Sequence, residues 1–289
     1  MTQSPPEILL REVAPRDGLQ NEKTTIPTEA KVRFIEMLWA TGTPYLEVSS
    51  FVRPSWVPQL ADAEEVFKAV AHLKEPGRKL VALVPNLRGY QRARDAGCEN
   101  IALFTSASEA FNQKNTNASI EESIERFRPV CEHAQNENVW VRGYISTCFH
   151  CPYSGPVNPE AVTSLAAKLL DLGCSEIVVS DTTGTAFPGE VERVLPMVLK
   201  NIPSEILALH MHDTAGRALQ NVKVGWEHGI RRFDSAVGGL GGCPYSPGAT
   251  GNLRTELLVE LFHGLEVETG IEMNAVEKAA EFIRGHIPA

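Results

Sequence analysis

Eight short apolar or β-branched runs, each separated from the next by a stretch of helical periodicity, constrain this chain more than any other feature it has. The runs are residues 9–13, 45–48, 80–84, 101–104, 139–145, 177–179, 206–209 and 232–236. Parallel strands need a crossover of a dozen or more residues between them, so this alternation implies a parallel sheet covered by helices. Eight strands in 289 residues favour closure into a barrel over an open doubly wound sheet. The expected fold is therefore α/β, a single (β/α)₈ TIM barrel forming one catalytic domain over residues 1–289. Its core would span about residues 8–262, and a short helical extension about residues 263–289.

Two of the intervening helices are well marked. In one, Asn158 is the N-cap, Pro159 the first helical residue, Val162, Leu165, Leu169 and Leu172 the apolar stripe, and Gly173 the stop. The other spans residues 28–40 and would bury Val32, Ile35, Leu38 and Trp39. The proline-rich stretch 54–58 is expected to be a loop after the second strand.

A formal charge of −9 argues against general nucleic-acid binding, so an anionic substrate would have to be met by local cations. No apolar run approaches the roughly 18 residues that a membrane span needs, and residues 1–6 are short and polar. Six cysteines without a spaced framework point to reduced thiols. A soluble cytoplasmic protein is expected or, in a eukaryote, the mature form of an organellar one.

In a barrel of this kind the chemistry lies where strands end and the following loops begin. Polar residues collect there: Arg16 and Asp17 after the first strand, Glu47 in the second, Asp181 after the sixth, His210 and His212 ending the seventh. A bland scaffold has no need of charges and imidazoles at so many strand ends. Residues i and i+2 of a strand face the same way, so His210 and His212 can converge on one ion. With a carboxylate from Asp17, such a donor set suits Mg²⁺, Mn²⁺, Fe²⁺ or Zn²⁺.

Cys148-Phe149-His150-Cys151 resembles half a zinc site, but no second Cys-x-x-Cys is present to complete it. The run 238–251 is too rich in glycine for a packed element and suits a loop that closes over substrate. Cys243 in that loop is the candidate reactive thiol. No Lys-Ser/Thr follows the glycines, which argues against a phosphate-binding P-loop.

Three segments carry a family resemblance: residues 12–23 (EVAPRDGLQNEK), 210–214 (HMHDT) and 239–252, which opens GLGGCPY and ends GN. Together they resemble the 3-hydroxy-3-methylglutaryl-CoA lyases, and the likeness runs from about Leu10 to Phe262. The resemblance implies that Asp17, His210, His212 and Asn252 ligate a divalent cation, Mg²⁺ or Mn²⁺. It implies that Arg16 contacts the thioester carbonyl, that Cys243 is the catalytic thiol, and that Glu12, Glu47, Asp181 and Glu256 surround the site. Lys23 would help to hold coenzyme A. A homodimer is implied as well, with a small-molecule acyl-CoA as substrate and neither nucleic acid nor membrane as partner.

The implied activity is cleavage of 3-hydroxy-3-methylglutaryl-CoA to acetoacetate and acetyl-CoA. One departure stands out, since Phe149 and His150 occupy what is usually a small, glycine-containing stretch; they are expected to alter the pocket or the strand end. Alternatives are a lyase for a longer or different 3-hydroxy-3-alkylglutaryl-CoA, a condensing enzyme of the isopropylmalate synthase kind, an iron oxygenase, and a non-catalytic acyl-CoA-binding barrel. The condensing relatives share the Arg-Asp and His-x-His features without the cysteine loop.

Overall fold

Side chains that alternate between an apolar outer face and a polar or small inner face allow a parallel sheet to roll up on itself, and this chain does so. The computed structural model describes residues 7–241 and 251–287. Its barrel strands are β1 (Leu9–Glu12), β2 (Tyr45–Ser50), β3 (Lys79–Leu83), β4 (Asn100–Ser106), β5 (Trp140–Ser146), β8 (Glu176–Asp181), β9 (Leu207–Met211) and β10 (Arg232–Ser235). They close in the order β1-β10-β9-β8-β5-β4-β3-β2, every neighbouring pair parallel. A small antiparallel hairpin, β6 (His150–Cys151) and β7 (Gly155–Pro156), rises from the end of β5.

The outer layer comprises α1 (Thr28–Trp39), α2 (Ala63–Ala69), α3 (Leu87–Asp95), α4 (Glu109–Thr116), α5 (Ile120–Asn136), α6 (Pro159–Asp171), α7 (Pro188–Leu199), α8 (Ala218–Glu227) and α9 (Thr255–Gly264). A further helix, α10 (Met273–Arg284), packs against α1, α9 and the turn Val237–Gly239 that follows β10.

The eight expected strands are all present, and the two marked helices keep their bounds to within a residue or two. Asn158 caps α6 by accepting from the Glu160 N–H at 3.1 Å, as its position before Pro159 predicts. Val32 of α1 is only partly buried, because the apolar stripe of that helix is centred on Phe34, Ile35 and Leu38. Asp181 is the last residue of β8 rather than the residue after it.

Along β5 the parity is plain. Tyr144 and Ser146 line the central cavity, so Arg142, two residues earlier, also points into the barrel. Gly143 on the opposite face admits the helical layer closely: a Cβ there would lie 3.1 Å from Leu169 Cδ1 and 3.2 Å from Cys174 Sγ. The five described cysteines, Cys98, Cys131, Cys148, Cys151 and Cys174, are free and buried. No helix among the described residues is long and apolar enough to cross a membrane.

Candidate active site

The C-terminal ends of the strands surround a cavity of about 590 Å³, within the range of small-molecule sites. At its floor are Arg16 and Asp17, presented by a single π-helical turn, Ala14–Gly18, directly after β1. His210 lies near the end of β9 and His212 just beyond it, with ring centroids 5.2 Å apart. Both Nε2 atoms face Asp17 Oδ2, at 4.0 Å from His210 and 3.8 Å from His212. One donor atom from each of the three residues falls within 4.8 Å of the others, and they are buried.

Asn252 joins them from another part of the chain. Residues 252 and 212 form an antiparallel bridge, and the Leu253 N–H donates to the Met211 carbonyl at 3.0 Å. Asn252 Nδ2 donates to Asp17 Oδ2 at 2.8 Å and to the Leu240 carbonyl at 3.0 Å. Among the described residues its buried Oδ1 has no hydrogen-bond partner, which a protein tolerates poorly unless something else fills the role. Two imidazole nitrogens and a carboxylate on one spot, with the Asn252 amide beside them, fit a hard or borderline divalent cation. Gly241 permits this approach, since its φ is +91° and a Cβ would lie 2.7 Å from the Asp17 carbonyl oxygen.

Charge compensation around Arg16 is dense. Its Nε donates to Glu47 Oε1 and its Nη1 to Asp17 Oδ1, each at 2.5 Å, and its guanidinium sits 5.7 Å from the Tyr144 ring centroid. Burial pushes the Arg16 pKa down, but Glu47 and Asp17 outweigh it and hold the value above the ordinary one. Burial also pushes Asp17 up, yet Arg16 and the two histidines bring it well below the usual carboxylate range. Asp17 is therefore ionised at any working pH, as a ligand must be.

The other expected acids occupy supporting positions. Glu47 is buried beneath Arg16 and accepts from the Tyr45 and Tyr144 hydroxyls. Glu12 accepts from the Ala14 and Val237 N–H groups and the Thr255 hydroxyl, tying the first strand end to the last. Burial raises its pKa to about 7. Asp181 accepts from the Gly184 and Ala186 N–H groups and the Thr183 hydroxyl, and burial raises its pKa too. Glu256 accepts from the Gly238 N–H at 3.1 Å and pairs with Arg254 and Arg284. None of these four lines the cavity.

Lys23 is exposed and also away from the cavity wall, where the cations near the mouth are Arg53 and Arg126. Cys243 lies outside the described residues. Phe149 is buried, and His150 pairs with Glu190 at 3.3 Å; neither reaches the cavity. The departure from a small residue pair is thus absorbed at the strand end.

Sequence reasoning missed Asp234, whose Oδ2 lies 3.0 Å from His210 Nδ1, and Tyr144, which connects Glu47 to the cavity. Burial pushes Asp234 up, and Arg142 with His210 reverses this, so its carboxyl lies below the ordinary value. The available signal was Asp234 itself, a charged residue with the parity of Arg232 and on the face opposite Phe233 of β10.

Comparison with known proteins agrees with this geometry. A lyase of Pseudomonas aeruginosa named 3-hydroxy-3-isohexenylglutaryl-CoA/hydroxy-methylglutaryl-CoA lyase is 47% identical over 279 residues, covering 96% of this chain and 92% of that one. The crystal structure of HMG-CoA lyase from Brucella melitensis superposes with a TM-score of 0.93 at 45% identity, covering 97% of this chain and 98% of that one. An HMG-CoA lyase from Acinetobacter baumannii, solved with coenzyme A and 3-methylmalate, gives a TM-score of 0.92 at 38% identity and covers 97% and 91%. A family model described as HMGL-like matches residues 7–283, nearly the whole described chain, and the chain belongs to that family.

Proposed function

We propose that this protein is a divalent-metal-dependent carbon–carbon lyase that cleaves 3-hydroxy-3-methylglutaryl-CoA into acetoacetate and acetyl-CoA. The observation that carries the reading is the meeting of Arg16 with Asp17, His210 and His212 on the floor of one cavity. Asp17, His210, His212 and Asn252 would hold the ion, Mg²⁺ or Mn²⁺. Bound there, a divalent ion supplies Lewis acidity that lowers the pKa of the substrate's tertiary hydroxyl.

Cleavage requires loss of the hydroxyl proton, breakage of the bond between C2 and C3 with the electron pair passing to C2, and protonation of C2. The carbon that carried the hydroxyl becomes the ketone of acetoacetate. Arg16 places a permanent cation and N–H donors where the thioester oxygen gains charge as the enolate forms, a contribution of several kcal/mol in comparable sites. The hydroxyl proton passes to Asp17 or to a water beside it and from there to bulk solvent; Arg16 and the two histidines hold the Asp17 carboxyl well below the usual carboxylate range, so it gives that proton up again readily. Cys243 is assigned the final proton transfer to C2, from the residue chemistry of its segment and the family resemblance.

The acyl-CoA arm leaves through the mouth past Arg53 and Arg126, cations on an otherwise acidic protein. We further propose a homodimer working in a reducing, cytosol-like compartment, on the family resemblance and the free thiols. The test is to incubate purified protein with Mg²⁺ or Mn²⁺ and 3-hydroxy-3-methylglutaryl-CoA and assay acetoacetate. Stoichiometric acetoacetate and acetyl-CoA are expected, and absence of both under every metal tried would refute the reading.

A further inference from the structure

Arg142 is fully buried in the barrel and does not line the cavity, yet both halves of the site depend on it. Its Nη2 donates to Asp234 Oδ1 at 2.5 Å and its Nη1 to Asp234 Oδ2 at 3.2 Å, a two-point fork that fixes the carboxylate plane. Asp234 Oδ2 then lies 3.0 Å from His210 Nδ1. The same Nη1 donates to the Tyr144 hydroxyl at 2.6 Å, and that hydroxyl donates to Glu47 Oε2 at 2.5 Å. Glu47 Oε1 accepts from Arg16 Nε.

Beneath, Glu176 Oε1 pairs with Arg142 Nε at 2.8 Å, and the guanidinium lies 4.8 and 4.7 Å from the ring centroids of Tyr45 and Tyr144. The Nη1 and Nη2 ends of the cation are therefore held by hydrogen bonds to Asp234 and Tyr144, while the Nε side faces Glu176 as an ion pair without a hydrogen bond. A buried guanidinium so fixed has one available orientation, and it passes that orientation along two arms. One arm runs through Asp234 to a proposed metal ligand, the other through Tyr144 and Glu47 to Arg16.

We propose that Arg142 is a positioning residue that sets two things at once. Through Asp234 it fixes the His210 tautomer with the proton on Nδ1, leaving Nε2 free to face Asp17. Through Tyr144 and Glu47 it fixes the direction of the Arg16 guanidinium. The Asp234 arm rests on the reading of His210 as a metal ligand, so its test includes a measurement made without metal. A carboxylate that holds the other ring nitrogen of a ligating histidine alters metal affinity by roughly 10–100-fold when removed.

The first measurement is histidine ¹⁵N NMR on the metal-free protein, with His210 assigned by comparison with His210→Gln. The wild type and Tyr144→Phe should show a single Nδ1–H tautomer, whereas Arg142→Lys and Asp234→Asn should show mixed tautomers. An unchanged tautomer in both of these variants overturns the proposal, whatever the metal result.

The second measurement compares Mn²⁺ affinity by electron paramagnetic resonance with kcat per folded molecule. Asp234→Asn should weaken Mn²⁺ binding by roughly 10-fold or more. Tyr144→Phe should leave Mn²⁺ affinity within about 2-fold while lowering kcat, and Arg142→Lys should do both. Should Arg142→Lys fail to fold, the two single-arm variants still decide the matter. Loss of both properties in each, or of neither, overturns the division into two arms. Failure of the wild type to bind Mn²⁺ overturns the metal arm and leaves the tautomer and the Arg16 arm to be judged by the other readouts.

Discussion

Asn252 and Asp17, 235 residues apart in sequence, are joined by a 2.8 Å hydrogen bond from Nδ2 to Oδ2, with Asn252 Oδ1 buried and unpartnered among the described residues. The strands and helices that carry them do not need an ion for their core packing. Removal of the divalent cation should therefore abolish cleavage and leave far-UV circular dichroism nearly unchanged. His212→Ala should lose activity and Mn²⁺ affinity together. Full turnover after rigorous chelation would rule out the metal role.

Arg16 makes a sharper case because its geometry is held by two carboxylates. Lysine keeps the charge but has three N–H donors against five and no planar fork, so meeting both Glu47 and Asp17 leaves at most one for a developing enolate. Arg16→Lys should lower kcat by roughly 10²–10³-fold, the scale of losing one oxyanion donor, with a smaller change in KM. Equal losses in kcat and folded fraction would assign Arg16 a structural role instead.

Glu12 gives the stability of this protein a pH signature. Its folded pKa is about 7 against an ordinary 4.5, with burial as the first cause. Because the folded value is raised, the contribution is fully present below about pH 4.5 and is lost as pH rises through about 7. A shift of this size corresponds to about 3 kcal/mol. Glu12→Gln mimics the protonated form, since one oxygen can still accept from Ala14 and Val237 and the amide can donate to Thr255. Urea denaturation should show the variant gaining on the wild type between pH 5 and pH 8. Parallel stability curves would mean that Glu12 is ionised in the fold.

The sequence made the frame and half of the site legible for a local reason. Strands such as β8 announce themselves by four adjacent apolar residues or fewer, and His210-x-His212 shares a face by period alone. Asp234, Arg142 and Tyr144 were not legible, because each is made acceptable in a buried strand by partners far away in sequence. Arg142 lies 92 residues from Asp234, and Tyr144 lies 97 from Glu47. Closure of the barrel brings them together, and no spacing rule anticipates it.

Coenzyme A binding offers a test of location. Lys23 was expected to hold the cofactor arm, but Arg53 and Arg126 are the cations that line the cavity near its mouth. Arg53→Ala and Arg126→Ala should each raise KM while kcat stays nearly constant, because a phosphate contact is equal in ground and transition states. Each should also flatten the salt dependence of KM. A larger KM effect from Lys23→Ala than from either arginine would return the phosphate contact to the first expectation.

Cys243 separates this chain from metal-dependent barrels that lack the cysteine loop, and its chemistry can be isolated from that of the other thiols. Cys98, Cys131, Cys148, Cys151 and Cys174 are buried, which should make their alkylation slow; burial pushes the Cys98 thiol up to about 12, whereas a hydrogen bond with Cys174 lowers Cys131, and at Cys151 burial is outweighed by hydrogen bonds with Ser108 and Ser154, which lower it. The segment that carries Cys243 is flanked by Gly241, which packs on Asp17, and by Asn252, which bonds to it. Iodoacetamide should therefore inactivate the enzyme by modifying one fast-reacting thiol, and bound substrate should protect it. Cys243→Ser should abolish that fast phase and retain Mn²⁺ binding, since the proposed ligands contain no sulfur. Its kcat should fall by roughly 10²-fold or more, the scale of a lost general acid. Were Cys243 only a packing residue, the change would cost about 1 kcal/mol of stability and leave turnover intact. A serine variant with wild-type kcat would move the final proton transfer from the thiol to water.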